Sequence, residues 1–125
     1  MNVVDSCGWL EYFANDVNAG FFEPILLDTT KLLVPSICIF EVSRRLLHWG
    51  YAQQADNALM LTTKGKVIDL SPAQLFAAAQ AAKRYQLAMA DAIIWQTARE
   101  HNAVLYTQDA AFKDLPSVNF KAKTN

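Results

Sequence analysis

Apolar positions in this chain fall into two patterns: short unbroken runs of three or four residues, and longer stretches in which they return every three or four. The first pattern reads as buried strands and the second as helices with one packed face. Asn2-Val3-Val4-Asp5 is a very short strand ending in an acid, and Ser6 is placed to cap a helix through Cys7, Leu10, Tyr12 and Phe13. Asp16 to Gly20 breaks the pattern. Phe21 to Leu27 resumes it as a short helix with Pro24 near its start; its four apolar side chains Phe21, Phe22, Ile25 and Leu26 exceed what one contact needs, although core packing accounts for them better than a partner surface. Lys31 to Val34 is a second strand closed by Pro35, followed by a helix from Ser36 to Trp49 that ends near Gly50.

On that helix Ile37, Glu41, Arg44 and His48 share one face, and Ile39, Val42, Leu46 and Trp49 another. Tyr51 to Thr62 is an alanine-rich helix, and Lys64-Gly65 turns the chain into a strand from Lys66 to Asp69. Ser71-Pro72-Ala73-Gln74 has the form of a capping box with proline in the first turn, opening a helix that runs to Tyr85. The stretch Leu87 to Leu115 then gives a helix with Asp91 in its first turn, a polar turn at Glu100 to Asn102, a strand from Ala103 to Tyr106, and a second acid at Asp109. One helical turn at Ala110 to Lys113, a break at Pro116, an edge strand at Val118 to Phe120 and a frayed tail from Lys121 to Asn125 complete the chain. Strands alternating with helices predict an α/β fold, a three-layer α/β/α arrangement around a parallel sheet, in a single domain covering residues 1–125.

Composition narrows the function. With 53% hydrophobic and 18% charged residues the chain is too apolar for a disordered tail, and its net charge of −1 supplies no bulk attraction for nucleic acid. Cys7 and Cys38 lack C-x-x-C spacing and read as reduced packing residues. No signal-like segment opens the chain and no apolar run approaches the ~20 residues of a membrane span. The expectation is a cytoplasmic protein without membrane contact.

Four acids invite a chemical reading: Asp5 after the first strand, Glu41 within a helix, Asp91 in a first helical turn, and Asp109 after a later strand. The helix N-terminus favours an ionised carboxylate at Asp91, and strand ends are where open α/β sheets gather ligands. Acids gathered in one cleft raise one another's proton affinity unless a counter-charge is present, and an all-oxygen donor set suits Mg²⁺, with Mn²⁺ as substitute. Such a site serves phosphoryl hydrolysis by a metal-activated water. The alternative for Glu41 is an ordinary pair with Arg45 one turn on, and strand-end aspartates also cap helices. His48 and His101 sit late on helices, no G-x-S-x-G elbow or glycine-rich phosphate loop is present, and Asp69 is explained by the helix entry beside it.

Asp5 in V-V-D-S, Glu41 in I-F-E-V, Asp91 in M-A-D-A-I-I and Asp109 in L-Y-T-Q-D-A-A-F together resemble the PIN-domain ribonucleases, and in size and motif order the VapC toxins of bacterial toxin–antitoxin pairs. The likeness covers nearly the whole chain, with the Asp91-to-Asp109 block its most specific part. It implies a PIN-like sheet of four to five parallel strands and a Mg²⁺- or Mn²⁺-dependent endoribonuclease, often a homodimer, silenced by an antitoxin protein. Carried over, Asp5 and Asp91 are the principal metal ligands and catalytic acids, with Glu41 and Asp109 completing the cluster directly or through water. Thr107 and Ser6 are supporting hydroxyls. The alternatives are a PIN-like nuclease of RNA processing and a non-catalytic PIN-like binding subunit. For the RNA substrate, Arg44, Arg45, Lys83, Arg84 and Lys113 are candidate phosphate contacts, each equally an ordinary surface charge.

Overall fold

The computed structural model describes residues 1–124. Its strands are β1 (Asn2–Val4), β2 (Leu32–Pro35), β3 (Lys66–Ile68), β4 (Val104–Thr107) and β5 (Val118–Phe120). The helices are α1 (Ser6–Phe13), α2 (Ala19–Leu27), α3 (Ser36–His48), α4 (Ala52–Lys64), α5 (Pro72–Tyr85) and α6 (Met89–Glu100), with single tight turns at Thr29–Lys31 and Ala110–Phe112. All strand pairs are parallel, and the order across the sheet is β3-β2-β1-β4-β5. This is the three-layer α/β/α arrangement around a parallel sheet that the sequence predicts.

Alternation along the strands sends neighbouring side chains to opposite faces, and each face has its own core. Val3, Leu33 and Leu105 pack with Ile94, Trp95 and Ala98 of α6 on one side. Val4, Leu32 and Val34 pack with Trp9 of α1, Phe22 and Leu26 of α2, and Val42 and Leu46 of α3 on the other. Phe22 and Leu26 are fully buried and Phe21 lies 6.0 Å from the Tyr106 ring, so the oily face of α2 is spent on the core. Ser71 and Gln74 form the reciprocal capping box at the start of α5, as predicted.

Most boundaries shift by a residue or two from the sequence reading, as β2, β3 and α4 do, and three differences have a visible cause. The second helix starts at Ala19, placing Pro24 inside it; the Asn18 N–H, which donates to Glu11 Oε2 at 2.9 Å, ties down the polar break that precedes it. β4 reaches Thr107, whose partner in the register is Phe120. The tail is anchored instead of frayed: the Lys121 N–H donates to the Thr107 carbonyl at 3.0 Å, and Lys123 Nζ lies 3.0 Å from both Glu11 and Asp16. Asn125 lies outside the described residues.

α1 comes close to both α2 and the sheet at Gly8, where a Cβ would sit 2.6 Å from both the buried Phe22 ring and Val4. Gly8→Ala should therefore cost about 1–3 kcal/mol in urea unfolding, as overpacking does. Gly20→Ala, with nothing within 4 Å, should be neutral or slightly stabilising in the same assay.

Candidate metal centre

The chain runs outward from β1 through β2 to β3, then returns to lay β4 and β5 on the other side of β1. Connections leaving the carboxyl ends of β1 and β4 diverge at this reversal and open a crevice between them. Asp5 directly follows β1, Asp109 stands two residues past β4, and α6 presents Asp91 in its first turn. Asp5 itself caps α1, its Oδ1 accepting the Ser6 N–H at 2.8 Å, because its extended backbone (φ −62°, ψ 155°) turns the carboxylate back over the helix start. Ser6 is thus the first helical residue and not the cap; its hydroxyl is free to donate to Glu41 Oε1 at 2.6 Å.

Asp5, Asp91 and Asp109 each offer one carboxylate oxygen to a group whose members all lie within 4.8 Å of one another. Glu41 is brought to the edge of this group through Ser6 and is not one of the three. Nor does it form an ion pair with Arg45: among the described residues the ion pairs are those of Lys123 with Glu11 and Asp16. No lysine or arginine therefore neutralises the three aspartates. Thr107, fully buried, accepts the Asp109 N–H at 2.9 Å and donates its hydroxyl to Asp5 Oδ2 at 2.9 Å, tying the ends of β1 and β4 together. Asp109 Oδ1 also accepts the Ala111 N–H at 2.9 Å, which caps the short turn beyond it.

Burial pushes the Asp5 carboxyl up to about 6, against the pull of its three hydrogen bonds. Asp91 is pushed up to about 7 by burial and by the charges of Asp5, Asp109 and Glu41. The stabilisation expected for Asp91 from the helix N-terminus is outweighed: a dipole effect of about 0.3–1 kcal/mol yields to desolvation and repulsion from nearby carboxylates. An all-oxygen cluster, buried at Asp5 and half-buried at Asp91 and Asp109, without a protein cation among the described residues fits a hard divalent ion as its missing charge.

The PIN domain family profile matches residues 3–118. The chain belongs to the PIN domain family. Among solved structures it is similar to a toxin–antitoxin complex from Klebsiella pneumoniae, with a TM-score of 0.79 at 20% identity, covering 95% of this chain and 96% of that one. It is similar as well to VapC20 from Mycobacterium tuberculosis, described as a sarcin–ricin loop cleaving toxin, at TM-score 0.79 and 17% identity over 94% of this chain and 97% of that one. VapBC2 from Rickettsia felis, solved with a DNA fragment from its promoter, gives 0.69 at 16% identity over 97% of each chain. No curated protein matches by sequence.

Two features of this PIN domain escaped the sequence reading. Cys7 does more than pack: its thiol donates to Asp5 Oδ2 at 3.2 Å, and burial together with the Asp5 charge raises its pKa, so it stays a protonated donor. Its position two residues past a strand-end aspartate was the available signal. Glu11, buried on α1, accepts from the Asn18 N–H, from Gln108 Nε2 at 3.0 Å and from Lys123 Nζ; burial raises its proton affinity, but these donors more than offset it and the pKa falls. Gln108 lies between Thr107 and Asp109, so this network braces the loop that carries the third acid. Of the candidate cations, Arg44 and Arg45 line a cavity shared with Glu41, Arg84 lines a cleft between α5 and α6 that none of the three aspartates borders, and Lys83 and Lys113 are exposed.

The raised acids fix the sign of a pH effect. Folded Asp5 and Asp91 hold protons more tightly than their unfolded counterparts, so their contribution to stability is fully present below the ordinary value of 3.8 and is lost as pH rises through about 6 to 7. Metal-free protein should melt higher at about pH 5.5 than at about pH 8, before Glu11 begins to titrate. Mg²⁺ at the higher pH, or Asp91→Asn, should raise Tm and shrink the difference. A metal-free Tm that is flat or falls on acidification across this window contradicts the repulsion.

Proposed function

We propose that this PIN domain is a Mg²⁺-dependent endoribonuclease, with Mn²⁺ as substitute, acting as the toxin of a toxin–antitoxin pair. The observation that carries the reading is the meeting of Asp5, Asp91 and Asp109 within 4.8 Å, without a neutralising side chain, at the reversal point of the sheet. In this reading Asp5 and Asp91 would be the principal holders of the ion, with Asp109 and Glu41, the latter one Ser6 hydroxyl away, completing the cluster directly or through water. When bound, such an ion polarises water and phosphate and neutralises charge developing on the phosphate oxygens.

The chain's own groups prepare that chemistry. Ser6, Cys7 and Thr107 fix both oxygens of Asp5 by hydrogen bonds, so the carboxylate is oriented before any ligand arrives. Asp91, proton-hungry in the bare cluster, must release its proton to hold a cation, which makes ion uptake tighter as pH rises. The toxin assignment is supported by the solved neighbours, which match nearly end to end and include a toxin–antitoxin complex and a sarcin–ricin loop cleaving toxin. An antitoxin protein and an RNA substrate are the partners this reading assigns. Self-association as a homodimer belongs to the same reading and rests on the family resemblance alone. The expected compartment is the cytoplasm, where RNA is met; no described helix is long and apolar enough to cross a membrane.

Purified protein should cleave RNA with Mg²⁺ present and fall silent in excess EDTA. Asp5→Asn should lower the rate by at least about a hundredfold, since the ion's charge stabilisation is worth several kcal/mol. Cutting that persists in EDTA, or that survives Asp5→Asn, overturns the metal mechanism; binding of RNA without any cutting favours a non-catalytic subunit.

A further inference from the structure

The surface of α3 leading away from the acids carries two arginines and ends at an exposed tryptophan. A cavity of about 170 Å³ is lined by Glu41, Phe40, Arg44, Arg45 and by Ala90, the neighbour of Asp91. It shares both arginines with a second, larger cavity of about 360 Å³ lined otherwise by His48 and Trp49. The two form a continuous path whose floor is the helix itself: Glu41, Arg45 and Trp49 recur every fourth residue and span roughly 12 Å at helical rise.

The two cations along this path have no acid to pair with among the described residues. Glu41, the one acid placed to take Arg45, accepts from Ser6 instead. Trp49 and Tyr51 are 44% and 43% exposed, with ring centroids 6.2 Å apart in an edge arrangement. The Arg45 guanidinium lies 5.9 Å from the Trp49 ring centroid, so the charge is held against one ring while its N–H donors stay available. Unpaired guanidiniums beside an exposed aromatic ring are the two elements that bind single-stranded nucleic acid: fixed cations for phosphates and a flat surface for a base.

We infer that Arg44, Arg45 and Trp49 form a substrate subsite that holds the single-stranded RNA flanking the scissile phosphate, the arginines on phosphates and a base stacked on Trp49. The inference rests on the nuclease reading above, since the acids mark where the scissile phosphate lies. It also explains how a chain with net charge −1 can hold a polyanion: the cations needed are local and few. These side chains bind and orient substrate and take no part in the bond change.

The test uses the full chain with a single-stranded RNA oligonucleotide. Arg44→Ala/Arg45→Ala should raise KM about tenfold with kcat little changed, and lower the slope of log K against log salt by about 1.4, two single-strand phosphate contacts. Trp49→Ala should weaken binding by a similar factor, with Trp49→Phe recovering most of it. RNA should quench tryptophan fluorescence in the inactive Asp91→Asn background, because Trp9 and Trp95 are buried and Trp49 is the ring in reach. Metal-dependent cutting by the Arg44→Ala/Arg45→Ala and Trp49→Ala proteins with unchanged KM and salt slope overturns the subsite and leaves the nuclease reading intact. Failure of the unaltered protein to bind or cut RNA overturns both. Loss of self-association without loss of RNA affinity overturns the subsite and assigns this surface to a protein interface.

Discussion

Three carboxylates cannot share a few ångströms of half-dry space without a force holding them there, and in this protein that force is the backbone. The sheet fixes where β1 and β4 end, the Thr107 hydroxyl bridges those ends by accepting from the Asp109 N–H and donating to Asp5, and α6 is packed through Ile94, Trp95 and Ala98 so that its first turn faces them. The unfavourable charge density is therefore sustained by the two apolar cores, not by local pairing. Stability is lent to the site by the rest of the fold, as is usual where polar groups are held in strained company.

The same constraint accounts for the hydrogen bonds around Asp5. A buried carboxylate free to rotate would turn away from its neighbours, yet the Ser6 N–H holds one oxygen and the Thr107 hydroxyl and Cys7 thiol hold the other. Glu41 is handled differently, its carboxylate engaged by Ser6 just outside the tight group. A gradient follows across the cleft, from the fixed Asp5, through the half-buried Asp91, to the arginines beyond Glu41.

Much of this was legible in the sequence because it depends on local rules. Short apolar runs ending in Asp5 and just before Asp109 marked strand ends, and the Ser71–Gln74 box and the first-turn position of Asp91 marked helix starts. What was not legible depends on distant partners. Asp5 and Ser6 are both good capping residues, and the end of β1 at Val4 decides between them. Lys121 to Lys123 read as a loose polar tail because the acids that anchor Lys123 are 112 and 107 positions away. The raised proton affinity of Asp91 likewise comes from burial under the folded chain and from Asp5, Asp109 and Glu41, none of which is near it in the chain, and overrides the helix effect that local reasoning favours.

The Thr107 hydroxyl reaches across 102 residues to Asp5, linking the central strand, built first, to one contributed by the last quarter of the chain. During synthesis from the N-terminus, the early helices and β1 to β3 emerge without the neighbour that completes the crevice. A chain still on the ribosome, or one truncated before β4, consequently carries Asp5 but no centre. Any activity housed there therefore waits until β4 has been made and has docked beside β1.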